Sequence, residues 1–91
     1  MELHDRIVKE LLEDRSLAAL IYLIEKGREL EFSLDGATYF LSRHGAQKQF
    51  SLWSGDQEQS FDSLEELLEH ATLAGNSFLA AWPEVQIETL F

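Results

Sequence analysis

The chain has 91 residues, 17 of them acidic against 7 Lys and Arg, for a net charge of −10. That length predicts one continuous domain, residues 1–91, with a modest core, and a hydrophobic content of 45% argues for folding despite the charge. The absence of cysteine excludes a disulfide framework and any Cys-based zinc site.

The charge is unevenly spread. Residues 1–48 hold nine acids and seven bases, whereas residues 49–91 hold eight acids and no Lys or Arg. Clustered Lys and Arg attract phosphates, so direct binding to nucleic acid is disfavoured. A field of one sign draws basic partners and speeds encounter with them. The same charge also serves plain solubility. The start Met1-Glu2-Leu3-His4-Asp5-Arg6 lacks the basic and apolar regions of a secretory leader. The longest apolar run, Leu17 to Ile24, is far shorter than the roughly 20 residues that span a bilayer. A cytoplasmic setting without membrane contact is expected.

In chain order, Leu3, Ile7 and Leu11, with Val8 and Leu12 beside them, give a helical stripe. The stripe runs toward Lys26 but falters at Asp14-Arg15-Ser16, where Ser16 is placed to cap a second segment, so one helix or two fit the pattern. Gly27 is a suitable stop. Leu17 to Ile24 is apolar on all sides, and such a helix needs cover all round. The sheet can supply one side. The first residues folding back, a second copy of the chain or a partner must supply the rest, which makes Leu17, Leu20, Ile21 and Ile24 candidates for self-association.

Leu30, Phe32 and Leu34 then alternate with polar residues, and Asp35-Gly36 is a two-residue hairpin signal. The turn predicts pairs Leu34–Ala37, Phe32–Tyr39 and Leu30–Leu41 on one face, with Thr38, Phe40 and Ser42 on the other in a strand from Ala37 to Arg43. His44-Gly45-Ala46 reads as a turn, followed by a strand from about Gln47 to Ser54. With Phe50 and Leu52 directed into the core, Trp53 shares the outer face with Phe40. Gln57 to Phe61 is a short fourth strand. Ser63 with Glu66, or Asp62 with Glu65, forms a capping box ahead of a helix whose apolar stripe is Leu64, Leu67, Leu68 and Ala71. A short third helix, Phe78 to Trp82, is halted by Pro83, and Val85 to Leu90 is a last strand with Val85 and Ile87 inward. The order α-β-β-β-(β)-α-α-β predicts an α+β fold with helices on one face of a mainly antiparallel sheet of three to five strands.

Chemistry is hard to find in this pattern. His4, His44 and His70 share no ligand spacing, so no metal and no cofactor is expected. Ser42 and His44 lack a nucleophile elbow, the carboxylate pairs read as exposed, and no phosphate loop is present, which points away from an enzyme. Two binding features remain. One is the aromatic pair Phe40 and Trp53, which makes a hot-spot patch if no helix covers it. The other is the acidic tract Asp56, Glu58, Asp62, Glu65, Glu66 and Glu69.

At Lys26-Gly27-Arg28-Glu29-Leu30-Glu31-Phe32, then Asp35-Gly36 and Tyr39-Phe40, the sequence resembles a set of small acidic proteins of Gram-positive bacteria and their phages and mobile elements. Phe61 to Glu69, Ala71-Thr72 and Trp82-Pro83-Glu84-Val85 are similar to the same set. The resemblance covers residues 17–91, leaves 1–16 as an N-terminal helical addition, and implies no functional residue. Small size, acidity and such a setting also resemble the general profile of anti-CRISPR and other anti-defence proteins, an analogy across unrelated folds. The expected function is a non-enzymatic inhibitor whose acidic surface occupies a basic, nucleic-acid-binding site on a larger protein. An immunity protein neutralising a toxin and a homodimeric interaction module are the alternatives.

Overall fold

A computed structural model describes residues 2–44 and 49–91. The expected turn at Gly45-Ala46 and the start of the following strand at Gln47 lie outside the described residues.

The apolar stripe at the start forms two helices, α1 (Leu3–Asp14) and α2 (Leu17–Glu25). Arg15 separates them in a left-handed conformation, φ 53°, with its N–H on the Leu11 carbonyl at 3.1 Å. A bulky residue in that region is uncommon, and Arg15 repays the cost through tertiary bonds. Its Nε donates to the Val85 carbonyl at 3.0 Å, and its own carbonyl accepts the Trp82 indole N–H at 2.9 Å. Ser16 caps α2 by accepting the Ala19 N–H at 3.1 Å.

Five strands follow in one antiparallel sheet: β1 (Leu30–Leu34), β2 (Ala37–His44), β3 (Gln49–Ser54), β4 (Gln57–Phe61) and, last in the chain, Gln86–Leu90. The last strand returns beside β1 at the opposite edge from β4. The β1–β2 register is the expected one, Leu30 opposite Leu41, Phe32 opposite Tyr39 and Leu34 opposite Ala37. Asp35 and Gly36 both take positive φ, as the tight hairpin requires. His44 is the final residue of β2 and not part of a turn, because it pairs with Gln49 across the ladder.

Between β4 and the last strand lie α3 (Leu64–His70), a small hairpin of β5 (Thr72–Leu73) and β6 (Asn76–Ser77), α4 (Phe78–Ala81) and a 3₁₀ turn, Trp82–Glu84. The last strand is thus β7. The third expected helix ends at Ala81, since Pro83 sits in the 3₁₀ turn without an amide hydrogen to continue an α-helical ladder. Val85 is buried just ahead of β7, and a bulge opposite Glu31 and Phe32 interrupts the alternation of the strand.

All four helices gather with one face of the sheet into a single core that joins Leu11, Leu20, Leu23, Ile24, Leu67 and Phe78 to Leu30, Phe32, Leu41 and Leu52. Phe32 is its centre. The ring stacks on Tyr39 at 5.5 Å and meets Phe78 and Trp82 edge-on at 6.2 and 5.7 Å. Each such pair adds to the burial of apolar area itself. Among the described residues, no helix is long and apolar enough to cross a membrane. Phe32→Ala should lower the stability by about 3–5 kcal/mol in urea denaturation, the usual cost of emptying an aromatic core site; a loss below about 1 kcal/mol would contradict the central placement of this ring.

Candidate functional site

Alternation along β2, β3 and β4 decides which side chains leave the core. Phe40 stands directly opposite Trp53, and Trp53 opposite Glu58, so the three form one row across the face turned away from the helices. Phe40 and Trp53 are both half-buried. Phe91, beyond β7, packs edge-on against Phe40 at 5.8 Å and shields part of that ring. The aromatic pair is therefore together and partly open, with the chain's own last residue beside it.

The next row is polar. Ser51 faces Ser42 on one side and Ser60 on the other, and both Ser42 and Ser51 are buried. Ser51 is fully covered, so its hydroxyl needs a partner, and it donates to Glu58 Oε2 at 2.5 Å. Ser60 Oγ donates to the same oxygen at 3.2 Å, and His44 Nε2 stands 3.8 Å away. The Ser51 hydrogen bond, with Ser60 and His44 adding to it, holds the Glu58 carboxyl below the ordinary glutamate range. The hydroxyl of Ser51 donates to this carboxylate, so the arrangement fixes a negative charge beside Trp53.

The remaining acids of the tract sit elsewhere. Ser63 accepts the Glu66 N–H at 3.0 Å, starting α3 with Leu64, Leu67 and Leu68 turned into the core. Glu65, Glu66 and Glu69 are consequently exposed, as are Asp62 at the entry to α3 and Asp56 in the β3–β4 turn. Gln59 ties this region to the sheet, since its amide donates to the Thr72 carbonyl at 3.0 Å and accepts the Thr72 N–H at 2.9 Å. Because α3 lies on the helical side, the six acids do not form one patch. Glu58 belongs to the aromatic face, and Asp62, Glu65, Glu66 and Glu69 belong to the helical side.

The self-association set divides as well. Leu20 and Ile24 are completely buried, so they cannot meet a second copy, whereas Leu17 and Ile21 stay half-buried at the surface. They border a cleft of about 370 Å³ with Leu64, Leu68 and Leu79, rimmed by Glu25, Glu65 and Glu69. Leu79, which periodicity alone assigns to no surface, is 45% exposed at this cleft. Among the described residues, no three His, Asp or Glu side chains come together as a metal site.

No family model, curated protein or solved structure matches the chain.

Replacing Ser51 by Ala removes the strongest support of the ionised Glu58. The folded-state value is the depressed one, so the linked stability is present above the unfolded value and fades as pH falls through the folded one. In the Ser51→Ala protein the Glu58 carboxyl should titrate at higher pH, nearer an ordinary glutamate, when followed by carbon NMR of its side chain. An unmoved midpoint would show that Ser51 does not hold the charge.

Proposed function

We propose that this domain is a non-enzymatic protein-binding inhibitor, of the anti-defence kind, that lays its acidic half on a basic nucleic-acid-binding surface of a larger protein. The observation that carries this reading is the absence of any Lys or Arg among residues 49–91 against eight carboxylates. Four of those carboxylates, Asp62, Glu65, Glu66 and Glu69, stand exposed along one short helix and its entry. No Lys or Arg from the same half of the chain neutralises them, and only His70 stands near one of them, 3.9 Å from Glu69. Their field therefore reaches a basic partner over about a Debye length, roughly 8 Å at physiological salt. A surface that accepts phosphates presents the Lys and Arg that such a row of carboxylates attracts.

Glu66 and its neighbours are supplied by a rigid scaffold, since the cap at Ser63 and the Gln59–Thr72 pair of hydrogen bonds fix both ends of α3. Fixed charges lose little freedom on docking, which favours specificity over a flexible acidic tail.

A second reading, an immunity protein that neutralises a cognate toxin, draws on the half-open row of Phe40 and Trp53 beside the fixed charge of Glu58. Aromatic anchors of this kind dominate tight interfaces. The two readings differ in which face carries the energy. Homodimerisation has less support, because two copies would each bring a net charge of −10.

The test is retention of proteins from a host extract on the immobilised domain. Retained proteins are expected to bind nucleic acid, to be displaced by DNA or RNA, and to elute as salt rises. The triple variant Glu65→Lys, Glu66→Lys and Glu69→Lys should retain them at least about tenfold less well. Binding that ignores both salt and charge reversal, but is lost in Trp53→Ala, would sink the electrostatic reading in favour of the second.

A further inference from the structure

We infer that the cleft between α2, α3 and α4 is a docking groove for a basic amphipathic helix of the partner protein. The inference rests on the protein-binding reading and specifies which segment of the partner is held.

The groove follows from a helix with no polar side. Leu20, Leu23 and Ile24 of α2 are wholly buried in the core, and α1 packs along the same helix. Leu17 and Ile21, one helical turn apart, are left half-buried. Across from them on α3 stand Leu64 and Leu68, also one turn apart, which are buried in the core and offer only their edges as the floor, and the exposed Leu79 of α4 closes the apolar lining. The hollow they enclose measures about 370 Å³. A second hollow of about 460 Å³ shares Glu25, Leu64 and Glu65 with the first, so the depression continues toward Asp62 and Phe50.

The rim selects the occupant. Glu25, Glu65 and Glu69 border the apolar part, and Asp62 joins Glu25 and Glu65 in the extension. Arg43 is the one cation among these lining residues. Its Nη1 donates to the neutral Glu25 carbonyl at 2.7 Å and the guanidinium keeps its charge, so the basic flanks of the occupant belong over the apolar part, where Glu25, Glu65 and Glu69 stand without it. Apolar side chains spaced by one turn, flanked by Lys or Arg, complement such a groove in both shape and charge. That pattern is a helix entering a groove, with anchors at i and i+4 and basic residues on the flanks. Basic helices of this kind are also what many nucleic-acid-binding proteins set against phosphates. A second copy of the chain is disfavoured, since it would bring its own net −10 toward the same rim.

The probe is a labelled synthetic helix with leucines at i, i+4 and i+7 and lysines on its flanks, titrated into the full chain. Fluorescence anisotropy reads affinity, and amide NMR shifts read position. Saturable binding with shifts centred on Leu17, Ile21, Leu64, Leu68 and Leu79 is expected. Leu79→Ser, at an exposed position that spares the core, should weaken binding about tenfold, and Leu17→Ser similarly. Thr38→Ala, at an exposed position on the far sheet face, should leave it unchanged. A peptide keeping the lysines but with glutamine for leucine should bind at least about tenfold more weakly. Equal binding of that control overturns the groove while leaving the acidic-surface reading standing. A probe that does not bind, or whose shifts fall elsewhere, overturns the groove outright, as does a dimer in light scattering that Leu79→Ser turns into a monomer. The charge-reversal experiment on extract proteins then judges the wider reading separately.

Discussion

A helix without a polar face must find apolar cover on every side, and the arrangement of this domain follows from meeting that demand for α2. The sheet and the core aromatics take Leu20, Leu23 and Ile24, and α1 folds back along the helix with Leu11 fully buried. Cover is partial, for Ala18 is exposed and Tyr22 half-buried. The strip at Leu17 and Ile21 remains, and the leucines of α3 and α4 gather around it. Burial of each such side chain is worth about 1.5–3 kcal/mol, so a strip left half open is a standing attraction for whatever can close it.

The second organising fact is that the sheet separates two kinds of surface. On one side, carboxylates ring an apolar hollow. On the other, a row of Phe40, Trp53 and Glu58 runs across three strands above a row of serines. The two surfaces differ in chemistry, the first acidic around an apolar hollow, the second aromatic beside a fixed charge. Charge on the helical side is cheap to maintain because Glu65, Glu66 and Glu69 stay in water. Glu58 is different: it replaces part of its hydration with two serine hydroxyls and so presents a fixed, oriented charge.

Much of the layout was legible from local chemistry. Asp35-Gly36 dictated the first hairpin and thereby its register, and Ser63 marked the start of α3, because each signal is a short-range hydrogen-bonding or φ requirement. The small β5–β6 hairpin was not legible. Its turn places Ala74 at φ 53°, and alanine has neither the freedom of glycine nor the side-chain hydrogen bond of asparagine to announce a left-handed residue. The break between α1 and α2 was half legible: Ser16 advertised a cap, but the reason the chain turns at Arg15 lies in bonds to residues about seventy positions away. The candidate surfaces fared similarly. Periodicity placed Phe40 beside Trp53, whereas the division of the acidic tract between two faces, and the meeting of Leu17 and Ile21 with Leu79, depend on how α3 and α4 pack.

The bond from the Trp82 indole to the Arg15 carbonyl has an optical consequence. An indole whose N–H is engaged by a carbonyl in a dry setting emits differently from one released into solvent. Emission from Trp82 therefore registers whether the N-terminal helix is seated, while Trp53, half open on the far face, acts as an independent second lamp. The molecule carries its own pair of built-in gauges, one for the integrity of the helical layer and one for contact at the sheet.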